Sequence, residues 1–91
     1  MRLRWRLSAV SDLARIRDYI AERNPASAGM VVDRIYRAVS RLEYFPDSGR
    51  LGTVPNTREV VAPGLPYIVV YQHGDNAIEV IAIFHAAQDR P

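Results

Sequence analysis

The chain has 91 residues, which predicts a single domain spanning residues 1–91 because two independent hydrophobic cores would need a longer chain. Its 48% hydrophobic and 24% charged residues are typical of a globular protein and exclude an intrinsically disordered one. The absence of cysteine excludes disulfides and thiolate chemistry, and two histidines are too few for a metal cluster. We therefore expect neither a metal nor a cofactor.

The sequence carries no membrane or export signal that we can identify. No apolar run approaches the roughly 18 residues needed to span a bilayer. The first seven residues, MRLRWRL, are charged but lack the apolar stretch of a signal peptide. We therefore expect a cytoplasmic protein with no membrane partner.

The net charge of +2 conceals an unusual choice of basic residue, because all 12 basic side chains are arginines and none is a lysine. Arginine stays protonated near neutral pH and binds carboxylates and phosphates through two parallel hydrogen bonds. This composition favours an anionic partner, either an acidic protein or a nucleic acid. A general bias towards arginine codons would produce the same composition.

The chain begins with a predicted edge strand followed by two helices. Leu3, Trp5 and Leu7 alternate with arginines, which is typical of a half-buried strand. Ser8 is a suitable N-cap for a helix that runs through about Glu22, and Asp12 lies near the positive end of this helix. The helix has an apolar stripe that consists of Val10, Leu13, Ile16 or Arg17, and Ile20.

The second predicted helix begins at Pro25 and runs to about Tyr44. One of its faces is apolar and contains Ala28, Val32, Ile35, Val39 and Leu42. The two helices are expected to form an antiparallel hairpin against a sheet.

Arg34, Arg37 and Arg41 lie on the opposite side of that second helix, at positions i, i+3 and i+7. Such a basic ridge is able to contact phosphates, although a simple solvated face has the same pattern. Residues 45–56 then break the helix and are predicted to form an exposed loop.

Three successive strands are predicted after that loop, at Arg58–Ala62, Tyr67–Gln72 and Ile78–His85. The short connections favour an antiparallel meander, because a parallel pairing needs a crossover of a dozen or more residues. In the third strand strict alternation puts Ile78, Val80, Ala82 and Phe84 on one face, and Glu79, Ile81, Ile83 and His85 on the other. Since both faces are apolar, we expect an interior strand that is covered on both sides.

These elements predict an α+β fold in which an N-terminal strand and a two-helix antiparallel hairpin pack with a mainly antiparallel sheet that ends in a three-strand meander. The phrases DYIAERNP, LEYFPDSGR, TREVV, PYIVVYQ and IFHAAQDRP occur in that order along the chain. Together they resemble the RelE/ParE superfamily of type II toxin–antitoxin toxins. The resemblance covers essentially the whole chain and is strongest to the ParE branch.

The resemblance implies a toxin that is neutralised by a cognate antitoxin, usually encoded beside it, which also provides the only contact with operator DNA. A ParE-like toxin would poison DNA gyrase. A RelE-like toxin would instead be a ribosome-dependent mRNA endoribonuclease. A third possibility is a non-toxic relic that still binds antitoxins.

The two kinds of toxin make different demands on chemistry. RNA cleavage requires a base, an acid and a cation on the scissile phosphate, for which the candidates are Glu59 as base, His85 as acid or base, and Arg50 or Arg58 on the phosphate. The lysines and late tyrosine of RelE-type members are missing.

Arg58 and Glu59 are adjacent in a strand and point to opposite faces, which argues against a catalytic pair. A strand-end His85 bonded to backbone or to Asp89 needs no catalytic role.

A gyrase poison needs a binding surface and no acid–base apparatus, so whether the chain is an enzyme stays open at this point. The candidate target-binding residues are Arg50, Arg58 and His85, with residues 54–57 beside them. An antitoxin would cover apolar surface of the hairpin and sheet by groove docking or strand addition. The candidate antitoxin contacts are Leu13, Ile16, Ile20, Tyr67, Val69 and Tyr71.

Overall fold

The computed structural model describes residues 1–87 and confirms the predicted α+β architecture. Its elements are β1 (Arg2–Trp5), α1 (Leu7–Arg23), α2 (Pro25–Ser40), a 3₁₀ turn (Arg41–Glu43), β2 (Arg50–Leu51), β3 (Arg58–Val61), β4 (Tyr67–His73) and β5 (Ala77–His85). The strands form one sheet in the order β1-β5-β4-β3-β2. β1 pairs with β5 in parallel, and the other pairings are antiparallel. Both helices lie on one face of this sheet and leave the other face without a helix.

The three meander strands were predicted to within one residue at each end, and β1 is an edge strand as expected. The predicted inward position of Leu7 is wrong, because the strand ends at Trp5 and Leu7 opens α1 with 82% of its surface exposed. The helical hairpin between β1 and the meander supplies the long crossover that a parallel pairing requires. Sequence reasoning missed β2, a two-residue strand inside the predicted loop.

Ser8 does not cap α1, since Arg6 occupies the N-cap position and no side chain caps it. The Ser8 hydroxyl instead donates a hydrogen bond to the carbonyl of Ile81 at 2.7 Å. The Asp12 carboxylate accepts one from the backbone N–H of Ile83 at 3.0 Å. The first turns of α1 therefore satisfy the backbone of β5 beyond the point where β1 ends.

The apolar stripes of the helices differ slightly from those predicted. On α1 the buried residues are Ala9 and Ile16, whereas Val10 is 47% exposed. On α2 Val31 is buried in place of Val32, because Val31 lies one turn from the buried Ile35. The predicted start of α2 at Pro25 is confirmed, and the 3₁₀ turn extends the helical segment to Glu43.

The predicted faces of β5 are correct only in its first half. Val80 pairs with Tyr71 and Ala82 with Val70, so the register shifts by one residue and leaves a bulge at Ile81. Beyond the bulge the alternation is reversed. Ile83 packs with Val80 in the core beneath the helices, and Ala82 and Phe84 belong to the helix-free face.

The core lies between the helices and the sheet in two clusters of buried residues. The larger cluster joins α1 and α2 to β4 and β5 through Ile16, Ile35, Val39, Val69 and Val80. The smaller one contains Leu42, Tyr71 and Ile78. No helix among residues 1–87 has the length and apolar character needed to cross a membrane.

Candidate functional site

The helix-free face of the sheet contains a groove of about 550 Å³. Val70, Ala82 and Phe84 form an apolar floor, and the loop at Thr53 and Val54 forms one wall. Sequence reasoning did not select these residues, although the apolar residues on both faces of the strand that is now β5 indicated that its second face is covered. This groove is a concave, partly apolar surface that the helices leave open, and it is therefore the first candidate binding site.

Two residues that line this groove, Glu59 and Arg6, take part in ion pairs. The Glu59 side chain is only 5% exposed, and Arg50 Nη2 lies 3.1 Å from its Oε1. Arg6 at the opposite side of the groove pairs with Glu79. Because the Glu59 carboxylate is buried and its Oε1 is bonded to Arg50, it is poorly placed to reach a substrate hydroxyl and accept its proton.

Arg58 is the first residue of β3 and belongs to a polar cluster that we call the Arg58 cluster. The members of this cluster are Pro46, Asp47, Gly49, Arg58, Tyr71 and His73. Arg58 Nη1 donates to the Gly49 carbonyl at 2.8 Å, and its Nε lies 3.7 Å from Asp47 Oδ1. The same Asp47 oxygen lies 2.7 Å from His73 Nδ1. The guanidinium of Arg58 therefore braces the segment before β2 while 30% of its side-chain surface remains exposed.

Tyr71 fixes the other side of the Arg58 cluster. Its hydroxyl accepts a hydrogen bond from Gly49 N–H at 3.0 Å and donates one to the Pro46 carbonyl at 2.8 Å. A Cβ at Gly49 would lie 2.6 Å from that hydroxyl, so only glycine fits there. Burial raises the pKa of Tyr71 above its ordinary value, although the hydrogen bond from Gly49 and the nearby Arg58 act in the opposite direction.

His85 lies at the opposite end of the sheet from Arg58. Its ring packs edge-to-face on Tyr67 with 5.5 Å between ring centroids, and its Nδ1 accepts a hydrogen bond from Ala87 N–H at 3.1 Å. This contact agrees with the backbone-bonded role considered above, and Asp89 lies outside the described residues. Arg58 pairs with Tyr71 and His85 with Tyr67, so four residues of β4, or about 13 Å of strand, separate the two positions.

The structure therefore does not gather the four candidate catalytic residues into one centre. Arg50 and Glu59 form one pair on the helix-free side, whereas Arg58 and His85 lie at opposite ends of the sheet. For the same reason the three candidate target-binding residues do not form one continuous patch. Among residues 1–87 no three His, Asp or Glu side chains are grouped to hold a metal ion.

The candidate antitoxin contacts belong mostly to the chain's own core. Ile16, Val69 and Tyr71 are between 0% and 4% exposed. Leu13, Ile20 and Tyr67 are partly buried against the same core beneath the helices. A partner is therefore unable to reach the first three without opening the core, and their alternation pattern identified packing positions, not an external surface.

Comparison with known proteins was made by family, by sequence and by structure. The family described as ParE toxin of type II toxin–antitoxin system, parDE, matches residues 3–90. A candidate toxin named Y4kP from Sinorhizobium fredii is 40% identical over 90 residues, which covers 99% of this chain and 93% of that protein. The toxin RelE2 from Caulobacter vibrioides is 36% identical over 84 residues, with 92% and 93% coverage.

A solved structure has a similar fold. It comes from the chromosomal ParDE toxin–antitoxin system of P. aeruginosa and superposes with a TM-score of 0.86 at 25% sequence identity. The match covers 93% of this chain and 95% of that one. Because the family match spans nearly the whole chain and two relatives exceed 30% identity, the chain belongs to the ParE toxin family of type II toxin–antitoxin systems, within the RelE/ParE superfamily.

Proposed function

We propose that this toxin inhibits DNA gyrase in the cytoplasm and is neutralised by a cognate antitoxin encoded beside it. The matched family is defined by ParE toxins, and the solved relative is part of a ParDE toxin–antitoxin system. These matches support an antitoxin partner for this chain. The choice of gyrase over messenger RNA depends on the geometry of the sheet.

The observation that carries the choice is the dispersal of the groups that RNA cleavage would use. An acid, a base and a phosphate-binding cation have to reach one reacting phosphate within hydrogen-bond distance. Glu59 is buried and paired with Arg50, Arg58 is bonded to the segment before β2, and His85 lies at the far end of β4. A toxin that acts by binding requires no such centre.

The proposed target surface is the helix-free groove and its rim at Arg50 and residues 52–57. Arg50 has 59% of its side-chain surface exposed, and Val54 is 61% exposed beside it. Arg58 contributes its exposed portion at the same end of the sheet. His85 is too far away to contribute to this end, so the proposal assigns it at most a peripheral contact.

RNA cleavage is the alternative that an experiment has to exclude, since one relative is named RelE2. Toxin co-expressed with its antitoxin is separated under denaturing conditions and refolded. One sample receives gyrase, supercoiled plasmid and ATP, and a second receives programmed ribosomes with a labelled message. Linear plasmid together with an intact message is the expected result, whereas codon-phased cuts in the message alone would overturn the gyrase assignment.

The His85→Gln variant sharpens this comparison. If His85 transfers a proton during RNA cleavage, the substitution should reduce cleavage by about 10²–10⁴-fold. A gyrase poison should retain activity, because His85 lies away from the proposed target surface. Circular dichroism of the variant checks that the fold is preserved, so that a loss of activity is not caused by unfolding.

Growth after induced expression without antitoxin tests whether the chain is toxic at all. We expect growth to stop and to resume when the antitoxin is supplied from a second promoter. Unchanged growth of cells that accumulate folded protein would contradict an active toxin. That outcome would support the third possibility, a relic that retains antitoxin binding.

A further inference from the structure

The outer edge of β1 is an open end of the sheet. β1 is the first strand in the sheet order, and no other strand of residues 1–87 lies beyond it. The N–H groups of Arg2 and Arg6 both donate to carbonyls on the β5 side, at 3.2 and 2.9 Å. Backbone groups that face one neighbour recur at every second residue, so the N–H and C=O of Leu3 and Trp5 point away from β5. No other segment within residues 1–87 forms a backbone hydrogen bond with them.

The side chains of β1 differ in character between its two faces. Leu3 and Trp5 pack against the core beneath the helices. The alternate residues, Arg2, Arg4 and Arg6, therefore lie on the helix-free face, about 6.7 Å apart along the strand. Arg6 has an ion-pair partner on β5, whereas the exposed Arg2 and Arg4 have none within residues 1–87. Two uncompensated positive charges thus lie along the helix-free side of the open edge.

The helix side of the same edge has an aromatic surface. Trp5 stacks on Tyr36 of α2 with 5.6 Å between ring centroids, and Tyr36 keeps 53% of its surface exposed. The indole Nε1 of Trp5 is the one buried side-chain nitrogen or oxygen within residues 1–87 that has no hydrogen-bond partner. A buried donor without an acceptor is costly, which indicates that a partner completes this edge.

A second copy of the chain is poorly suited to this edge. Two β1 strands that pair about a twofold axis run antiparallel with the same face towards the same side, so arginines lie opposite arginines in every register. Like charges that lie directly opposite each other are destabilising, and charged edge strands protect sheets from self-association. The complementary partner is an extended segment with carboxylates at alternate positions.

We propose that the open edge of β1 binds an extended acidic segment of gyrase by strand addition. Carboxylates at alternate positions of the segment bind Arg2 and Arg4, and the residues between them pack beside Trp5 and Tyr36. This contact rests on the proposed function and extends the proposed target surface, because Arg6 of β1 also lines the helix-free groove. A polypeptide suits the edge better than DNA does, since only a polypeptide continues the backbone hydrogen bonding of an open strand.

The test measures plasmid linearisation by purified gyrase and ATP over a range of toxin concentrations. R2E/R4E reverses both unpaired charges of β1. R34E/R41E is the matched control, because Arg34 and Arg41 are also exposed and without an ion pair within residues 1–87 but belong to the helical segment. We expect half-maximal cleavage to need at least about tenfold more R2E/R4E, and less than about threefold more of the control. Circular dichroism checks that both variants are folded.

Amide exchange tests strand addition separately from charge. The N–H groups of Leu3 and Trp5 should exchange at least about tenfold more slowly in toxin bound to gyrase than in free toxin, because the added strand supplies their acceptors. The N–H groups of Arg2 and Arg6 are the control within the same strand, since they are already bonded on the β5 side. Exchange is quenched and read by nuclear magnetic resonance after the toxin is released. Equal rates at Leu3 and Trp5 in free and bound toxin would overturn strand addition.

The outcomes separate this contact from the proposed function. If the wild type produces no linear plasmid, the gyrase assignment fails and this contact fails with it. If the wild type linearises plasmid and folded R2E/R4E is equally potent, the gyrase assignment stands and the edge of β1 is the wrong surface. If R2E/R4E keeps its potency and loses only antitoxin affinity, the edge binds the antitoxin and its assignment to gyrase is overturned. If the wild type binds plasmid without gyrase and R2E/R4E does not, the arginines bind phosphates and the assignment to a protein segment is overturned.

Discussion

The hydroxyl of Tyr71 ties the middle of the sheet to the segment that leads from the helices into β2. Its ring is fully buried, and the hydroxyl bonds Gly49 and Pro46 at 3.0 and 2.8 Å. The Gly49 N–H is also buried, so it has no access to water if the hydroxyl is removed. A buried donor without a partner is more costly than the average hydrogen bond is stabilising.

We therefore expect Tyr71→Phe to lower the free energy of unfolding by about 1–3 kcal/mol. Tyr44→Phe is the matched control, because Tyr44 is 79% exposed and its hydroxyl should contribute less than about 0.5 kcal/mol. Urea unfolding followed by circular dichroism measures both. Equal midpoints for Tyr71→Phe and the wild type would show that the hydroxyl is not stabilising the fold.

The raised pKa of Tyr71 predicts that the wild type and Tyr71→Phe differ in how their stability changes at high pH. Burial favours the neutral phenol, so the folded state holds this proton more tightly than the unfolded state, where the pKa is near 10.0. The contribution to stability is complete below pH 10 and is lost as the pH rises towards the folded pKa. The wild type should therefore lose stability above about pH 10 more steeply than Tyr71→Phe, and parallel curves would contradict this assignment.

The burial of Tyr71 was predictable from its alternation with Val69, but its partners were not. Pro46 lies 25 residues away along the chain and His73 meets Asp47 across 26 residues, in a segment that the sequence describes only as a loop. The same limit applies to the candidate site. Arg58 and His85 were selected for the chemistry of their side chains, yet only the pairing of β3 and β5 with β4 reveals that they lie at opposite ends of the sheet.

At the scale of elements, α1 provides side-chain hydrogen bonds to the second half of β5, along the edge that β1 does not cover. Ser8 bonds the backbone at the bulge residue Ile81, and Asp12 bonds it two residues further on at Ile83, where β1 has ended. The strands themselves were predictable because apolar alternation and turn residues are local signals. The bulge was not, since it arises from the register with β4 and from a helix more than 70 residues away in sequence.

Asp12→Ala should lower the free energy of unfolding by about 1–2 kcal/mol, because the N–H of Ile83 loses a charged acceptor. Asp18→Ala serves as the control, since Asp18 is 68% exposed and its recorded ion pair is with the exposed Arg17. Both substitutions bring the same gain in helix propensity, so their difference isolates the bond to β5. Amide exchange at Ile83 should be faster in Asp12→Ala only, and equal exchange in the two variants would contradict a role for that bond.

At the scale of the whole molecule, the parallel pairing of β1 with β5 joins the first strand to the last. Leu3 and Val60 pack against both core clusters, so the larger and the smaller cluster are not independent. Trp5 is the only tryptophan and lies on β1, where it stacks on Tyr36 with 5.6 Å between ring centroids. Its fluorescence therefore reports on the edge strand, whereas circular dichroism is dominated by the two helices.

Because the clusters share residues, we expect one cooperative transition in which tryptophan fluorescence and circular dichroism have the same urea midpoint. Leu3→Ala should lower the free energy of unfolding by about 1–3 kcal/mol and move both probes together. Leu7→Ala is the matched control, because Leu7 is 82% exposed and the same substitution should leave both midpoints unchanged. A fluorescence change that precedes the loss of helix would show that β1 detaches before the helices and the meander unfold. In that case the parallel pairing would be an accessory to the fold and not the contact that unites its two ends.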